Sequence, residues 1–206
     1  MIVCLTGNDA SGKATQSKIL AEAIGAALFA FPNYDSPTGK AILGNLQGSW
    51  EIHRDSNADH HEGCYKVPEV NALVLQSLMN ANRIERTSEL RIAASQGHLV
   101  LDRYDVDALV YGALDGLDPT WLEMLNDNLP FKPDVYILLD VPVEEGIKRR
   151  PTRRDRYEKD TARMAAVSAA YVKLFREREK WDNWRIVDGT GTIEEVSARV
   201  REAVGL

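Results

Sequence analysis

The stretch GNDASGKAT, Gly7 to Thr15, carries the spacing G-x-x-x-x-G-K of a loop that wraps a phosphate group. Ahead of it runs IVCLT, residues 2–6, short, apolar and β-branched. After it, from Lys13 to Ile24, the apolar residues Ile19, Leu20 and Ala23 recur at helical spacing. A strand, a glycine loop and a helix in that order gather backbone N–H groups and the positive end of a helix around an anion. Gly7 and Gly12 allow the close approach, and Lys13 would bring a point charge to the β- and γ-phosphates of a nucleotide. The bare spacing arises by chance about once in seventeen chains of this length. Requiring the strand before and the helix after makes chance a poor explanation. One position departs from the pattern: Ala14 stands where a magnesium-binding hydroxyl belongs.

Working outward, four more apolar runs repeat the character of residues 2–6: ALFAF at 27–31, HLVLD at 98–102, VYILLD at 135–140 and WRIVD at 184–188. Each is nearly continuous, as strands buried on both faces of a parallel sheet are. Helical patterns separate them, including one long stretch over 67–96 and another over 159–178. The expected fold is α/β: three layers, with a five-stranded parallel sheet flanked by helices. At 206 residues the chain is expected to form a single domain, 1–206, with no linker and no repeat. Residues 48–66 are polar and lack periodicity, and 150–157 pack arginines around Pro151. Ligands of open parallel sheets bind at the carboxyl ends of strands. Gly7 onward, Phe31–Pro32 and Asp102–Arg103–Tyr104 all follow such ends and should meet in one cleft.

The charge balance, 25 Lys and Arg against 31 Asp and Glu for a net charge of -6, argues against a general nucleic-acid binder. Cys4 and Cys64 make no disulfide framework, no apolar run reaches membrane-spanning length, and the start lacks the marks of a secretory leader. The expected setting is cytoplasmic, with no membrane partner.

Several segments together resemble the thymidylate kinase family over nearly the whole chain. GNDASGKATQ is similar to its phosphate loop, FPNYDSPTGKAI to its Phe-Pro segment, and NANRIE to a helix motif ending in arginine. LVLDRYDVDALVY is similar to its Asp-Arg-Tyr motif, and LPFKPDVYILLDVPVEEGIKRR with RRDRYEKD to the approach and end of an arginine-rich lid, about 149–158. The resemblance implies ATP-dependent phosphorylation of dTMP, assisted by Mg2+, in a homodimer.

It also implies roles. Gly7, Asn8, Ala10, Ser11, Gly12, Lys13, Ala14, Thr15 and Arg149 would hold ATP. Phe31 would stack on thymine with Pro32 beside it, and Arg83 would reach a thymine carbonyl. Tyr34, Tyr111, Asp107 and Tyr157 would complete the dTMP site, with Tyr111 near the deoxyribose. Arg103 would bind the acceptor phosphate. Asp9, Asp102 and Glu158 would approach the metal, with Asp9 also near dTMP. The phosphate loop has no arginine, so Arg153 and Arg154 of the lid would meet the charge of the moving phosphoryl group, together with Asp9, Lys13 and Arg103 as the catalytic set.

Simpler readings stand beside these. Phe31 could be a core residue, Arg83 a solvated helix arginine, Asp102–Arg103 a strand-end ion pair, and the arginine run a basic helix end. Tyr111 reads equally well as core. Asp107 and Ala108 depart from the small or neutral residues the family more often has facing the base. They keep open another or a modified pyrimidine deoxynucleoside monophosphate as acceptor, and Ala14 keeps open a nucleotide-binding regulator without catalysis. His53, His60, His61 and Cys64 match no standard zinc spacing and read as a polar loop.

Overall fold

In the computed structural model, residues 1–47, 67–149, 160–178 and 180–206 are described. Five strands lie where the apolar runs place them: β1 (Ile2–Thr6), β2 (Ala27–Ala30), β3 (Leu99–Asp102), β4 (Val135–Asp140) and β5 (Trp184–Asp188). They form one sheet in the order β2-β3-β1-β4-β5, and every pairing is parallel. β1 is central, with Val3 beside Val100 on one side and Val135 on the other.

Alternation along the strands builds two cores. Val3 and Leu5 of β1, Val100 of β3, and Ile137 and Leu139 of β4 face one way. They pack with Leu20 and Ala21 of α1 (Lys13–Ile24) and with Val196 and Val200 of the last helix, Ile193–Ala203. Cys4, Leu99, Leu101, Tyr136 and Leu138 face the other way, into a larger core with Val110, Val167, Tyr171 and Phe175. The three-layer expectation follows from this period-two pattern.

The stretch expected as one helix over 67–96 is two helices, α3 (Val67–Ile84) and α4 (Thr87–Gln96). The Thr87 hydroxyl donates to the Ile84 carbonyl at 2.6 Å, and Arg86 leaves helical geometry at ψ 9°. A local hydroxyl bond competes with the helical ladder at this point. α2 (Pro37–Leu46) starts at Ser36, whose Oγ accepts from the Gly39 N–H at 3.1 Å, with Pro37 in the first turn. α5 (Asp105–Leu114), α6 (Pro119–Asp127) and α7 (Val143–Arg149) follow in order. The 159–178 pattern becomes α8 (Thr161–Arg178), and α9 is the Ile193–Ala203 helix.

Fully buried Asn82 of α3 ties down the loop after β2. Its carbonyl accepts from the Asn33 N–H at 2.8 Å. Its amide reaches Ser36 Oγ and Thr38 Oγ1, both at 2.9 Å. The wall of the cleft that begins at Phe31–Pro32 is thereby fixed to α3.

Candidate active site

The loop between β1 and α1 is built for an anion. Gly7 has φ 141°, and a side chain there would put Cβ 2.6 Å from the Leu139 carbonyl oxygen. Gly12 begins α1 at φ 94°, and Ala10 holds φ 61° although it is not glycine. Left-handed backbone at alanine costs on the order of 1–2 kcal/mol, strain that collects where function fixes the chain. Lys13 is buried, and its ammonium donates to the loop's own Asn8 carbonyl at 2.5 Å and to Ser11 Oγ at 3.4 Å. Burial, and then the nearby Arg103 guanidinium, lower its pKa from 10.5 to about 8. The lysine is a poorly solvated cation in want of negative charge.

Arg103 supplies the second fixed cation. It follows β3 with φ 65°, another left-handed backbone at a residue other than glycine. Its guanidinium donates to Asp9 Oδ1 at 2.7 Å and to Asp107 Oδ1. Asp107 also accepts from the Tyr171 hydroxyl at 2.6 Å and the Thr6 hydroxyl at 3.1 Å. Burial alone would raise the Asp107 pKa; the Arg103 charge and the Tyr171 hydroxyl outweigh it and hold the carboxyl below its ordinary value. Asp102 is the opposite case, raised by burial despite Lys13 and Arg103.

Two cavities meet at Asp9, Phe31, Pro32, Tyr34, Leu46 and Arg103. The loop cavity is lined by Ala10, Gly12, Lys13, Ala14, Thr15 and Asp102. The inner cavity runs between α2, α3 and α5 and contains Leu75, Gln76, Met79, Arg83, Asp107, Ala108 and Tyr111. Arg83 is 3% exposed, and its Nε and Nη1 have no hydrogen-bond partner. Burial lowers its pKa, with Asp107 and Asp105 opposing. A desolvated guanidinium with unmet donors, open to a cavity, is equipped to take a carbonyl oxygen. A third groove, on the far side of the loop, is lined by Ser11, Thr15, Arg149, Gly189 and Ile193. Arg149 donates there to the Gly189 carbonyl at 3.1 Å.

Two of the expected acceptor-site residues line the cavity and are also held by protein neighbours. Phe31 is buried at the wall of both cavities, and its ring packs on Tyr104 at 5.6 Å. The aliphatic side chains Leu46, Leu75 and Met79 offer the broader apolar wall. Asp107, expected to face a base, lines the inner cavity and also accepts from Arg103 and Tyr171, which holds the arginine in place. Arg153, Arg154, Tyr157 and Glu158 lie outside the described residues, as do His53, His60, His61 and Cys64.

Sequence reasoning missed Gln76, Met79 and Tyr171. Counting back from Arg83 by four and seven residues finds Met79 and Gln76 on the same helix face. No comparable signal links Tyr171 to Asp107, 64 residues away.

Asp9 and Asp102 share one cavity with the phosphate loop. No group of three or more His, Cys, Asp or Glu poised to hold a metal occurs among the described residues. Magnesium that is held mainly by phosphate oxygens and water needs only one or two carboxylates, and this pair fits that requirement.

A family profile described as thymidylate kinase matches residues 5–200. The chain is 28% identical to human thymidylate kinase over an alignment covering 97% of this chain and 87% of that protein. It is 32% identical to a probable thymidylate kinase of Pyrococcus horikoshii, covering 96% and 92% respectively. The solved structure of thymidylate kinase from Candida albicans superposes with a TM-score of 0.75 at 26% identity, covering 98% of this chain and 90% of that one.

Proposed function

We propose that this chain, which belongs to the thymidylate kinase family and is therefore a kinase, moves the γ-phosphoryl group of ATP onto the phosphate of dTMP. The observation that carries the reading is the shared wall of the two cavities. A phosphate cradle with Lys13 opens at Asp9 and Arg103 into a separate pocket ended by the unpaired Arg83. Two nucleotides entering from the two sides would bring their phosphates together at that wall.

On this reading the loop N–H groups and Lys13 hold the donor phosphates, and the donor base lies toward the Arg149–Gly189 groove. Arg103, fixed by Asp107, meets the acceptor phosphate and orients one of its oxygens in line with the γ-phosphorus. Phosphoryl transfer is helped mainly by positioning and by charge at the moving group. Lys13 provides that charge from a buried position and Arg103 from a half-buried one, where water screens it less than at the surface. Mg2+, held by Asp9 and Asp102 with the phosphates, would neutralise phosphate charge. Arg153, Arg154 and Glu158 would add to this set from the lid. Ala14 is then no loss of chemistry, because a cation already held by phosphates and water gains little from one neutral oxygen. A homodimer in the cytoplasm is part of this proposal; no helix of the described residues is long and apolar enough to cross a membrane.

The test is turnover of a panel of nucleoside monophosphates with ATP and magnesium. dTMP is expected to give the highest kcat/KM. A different best pyrimidine would move the acceptor assignment, and ATP binding without transfer to any acceptor would make the protein a regulator.

The lowered Lys13 pKa gives a signed pH prediction. In the free protein Lys13 loses its proton as pH rises through about 8, so kcat/KM for ATP should fall above that pH. Bound phosphates favour the charged form, so kcat should hold to higher pH than kcat/KM. Parallel profiles extending flat to pH 10 would remove Lys13 from the donor site.

A further inference from the structure

We infer that Gln76 is the residue that recognises the N3–H of the acceptor base, an assignment that rests on the proposed function. Gln76, Met79 and Arg83 sit at i, i+3 and i+7 on α3, one stripe facing the inner cavity. Gln76 is 3% exposed and lines that cavity, and its side chain has no protein hydrogen-bond partner among the described residues. Its amide is not sealed away like Arg83 Nε and Nη1 but reaches the cavity, where it can take a partner that arrives from outside.

The partner's chemistry follows from the two ends of the stripe. Arg83 offers only donors, with Nε and Nη1 unmet, and so selects a carbonyl oxygen. On a thymine or uracil ring the atom next to that carbonyl is N3, which carries a hydrogen and needs an acceptor. The other side-chain acceptors of the cavity are the Asp9 and Asp107 carboxylates and the Tyr34 and Tyr111 hydroxyls, all engaged with other groups. Asp107 already receives Arg103, Tyr171 and Thr6, and Asp9 receives Arg103. The Gln76 side chain lines the same cavity, and its amide oxygen is a neutral acceptor. A charged acceptor would instead pair with Arg83 and quench the carbonyl site. Met79, between them on the stripe, lies against the flat face of the ring. Cytosine is refused at the Arg83 end, where its amino group would meet only donors; to meet its bare N3 the Gln76 amide would have to turn its NH2 inward.

The experiment compares dTMP with N3-methyl-dTMP in the wild type and in Gln76→Leu, which keeps the volume and removes the amide. The wild type should favour dTMP by about 100-fold in kcat/KM, the scale expected when a buried hydrogen-bonding group is left unpaired. Gln76→Leu should raise KM for dTMP about 10- to 100-fold, leave KM for ATP within about twofold, and shrink the N3-methyl discrimination to under about fivefold. A variant that keeps the full discrimination, or that loses ATP and dTMP affinity alike, overturns the assignment. A wild-type measurement covers the case of a variant that does not fold. The N3 imino proton of bound dTMP should be visible by proton NMR and slow to exchange, and an imino proton in fast exchange overturns the assignment. A wild type that turns over no pyrimidine monophosphate would sink the proposed function itself, an outcome distinct from dTMP turnover with N3 unread.

Discussion

Lys13→Met is expected to abolish phosphoryl transfer while leaving the empty protein more stable than the wild type. The loss follows from taking the loop's buried cation away from the transferring phosphate. Removing one preorganised charge-stabilising donor costs about 10²- to 10³-fold in kcat, and a full charge in a dry site stands at or beyond the upper end. The gain in stability follows from linkage. The unfolded lysine releases its proton near 10.5, the folded one near 8. The unfolded state therefore binds more protons between those values, so wild-type stability rises with pH across that window and is lowest below it. Holding the charged lysine in the fold at pH 7 costs on the order of 3 kcal/mol, and methionine recovers only part of it, because Asn8 and Ser11 lose a donor. Methionine keeps the stem and drops the charge. The melting temperature without nucleotide should rise by about 2–6 °C, and the protection given by ATP should vanish. Thermal melts with and without ATP, beside initial rates, check both halves. More than about one per cent residual kcat would contradict the tenfold-per-1.4 kcal/mol accounting that gives Lys13 its role. Ala14→Thr, made in parallel, should leave kcat nearly unchanged.

Arg103→Met should be equally inactive, with the opposite effect on stability. It leaves Asp107 buried without its cation, and breaking a buried pair from one side costs about 3–5 kcal/mol. The tyrosine and threonine hydroxyls that remain only partly compensate. With Arg103 gone, burial governs and the Asp107 pKa in the variant should move above its ordinary value. A carboxyl raised in the folded state stabilises below its unfolded pKa and loses that contribution as pH rises. The melting deficit of Arg103→Met should therefore be largest near pH 8 and shrink toward pH 5. Adding Asp107→Asn should recover much of the stability at pH 8 and none of the activity. Recovery of activity in the double variant would show that Arg103 serves the fold and not the acceptor phosphate.

The sheet and the phosphate loop were readable because their signals are local. Strands buried on both faces leave continuous apolar runs, and Gly7, Gly12 and Lys13 sit at fixed spacing whatever surrounds them. The break at Arg86 was not readable, because residues 67–96 keep a helical pattern throughout and one hydroxyl bond from Thr87 decides the matter. The acceptor pocket was half readable. Arg83 was placed inward by its apolar neighbours, but the same argument counted back along the helix reaches Met79 and Gln76. Phe31 was placed at the right strand end, yet its burial depends on Tyr104. The bonds of Asp107 were not readable, because its environment is assembled from Arg103, Tyr171 and Thr6, far apart in the chain.

The central place of β1 has a consequence for the chain's birth. Among the strands it leaves the ribosome earliest, yet both of its neighbours come much later, Val3 waiting for Val100 and then for Val135. At about 5–20 residues per second, the wait from Val3 to Val135 lasts roughly 7–26 s. Throughout it IVCLT is an unpaired apolar ribbon with both edges open, the kind of segment that captures another chain. The loop between β1 and α1 cannot take its final form in that interval either, since Gly7 closes against Leu139 on β4. Nucleotide affinity should thus appear only after β4 has been made, and nascent chains stalled before it should depend on holdase chaperones.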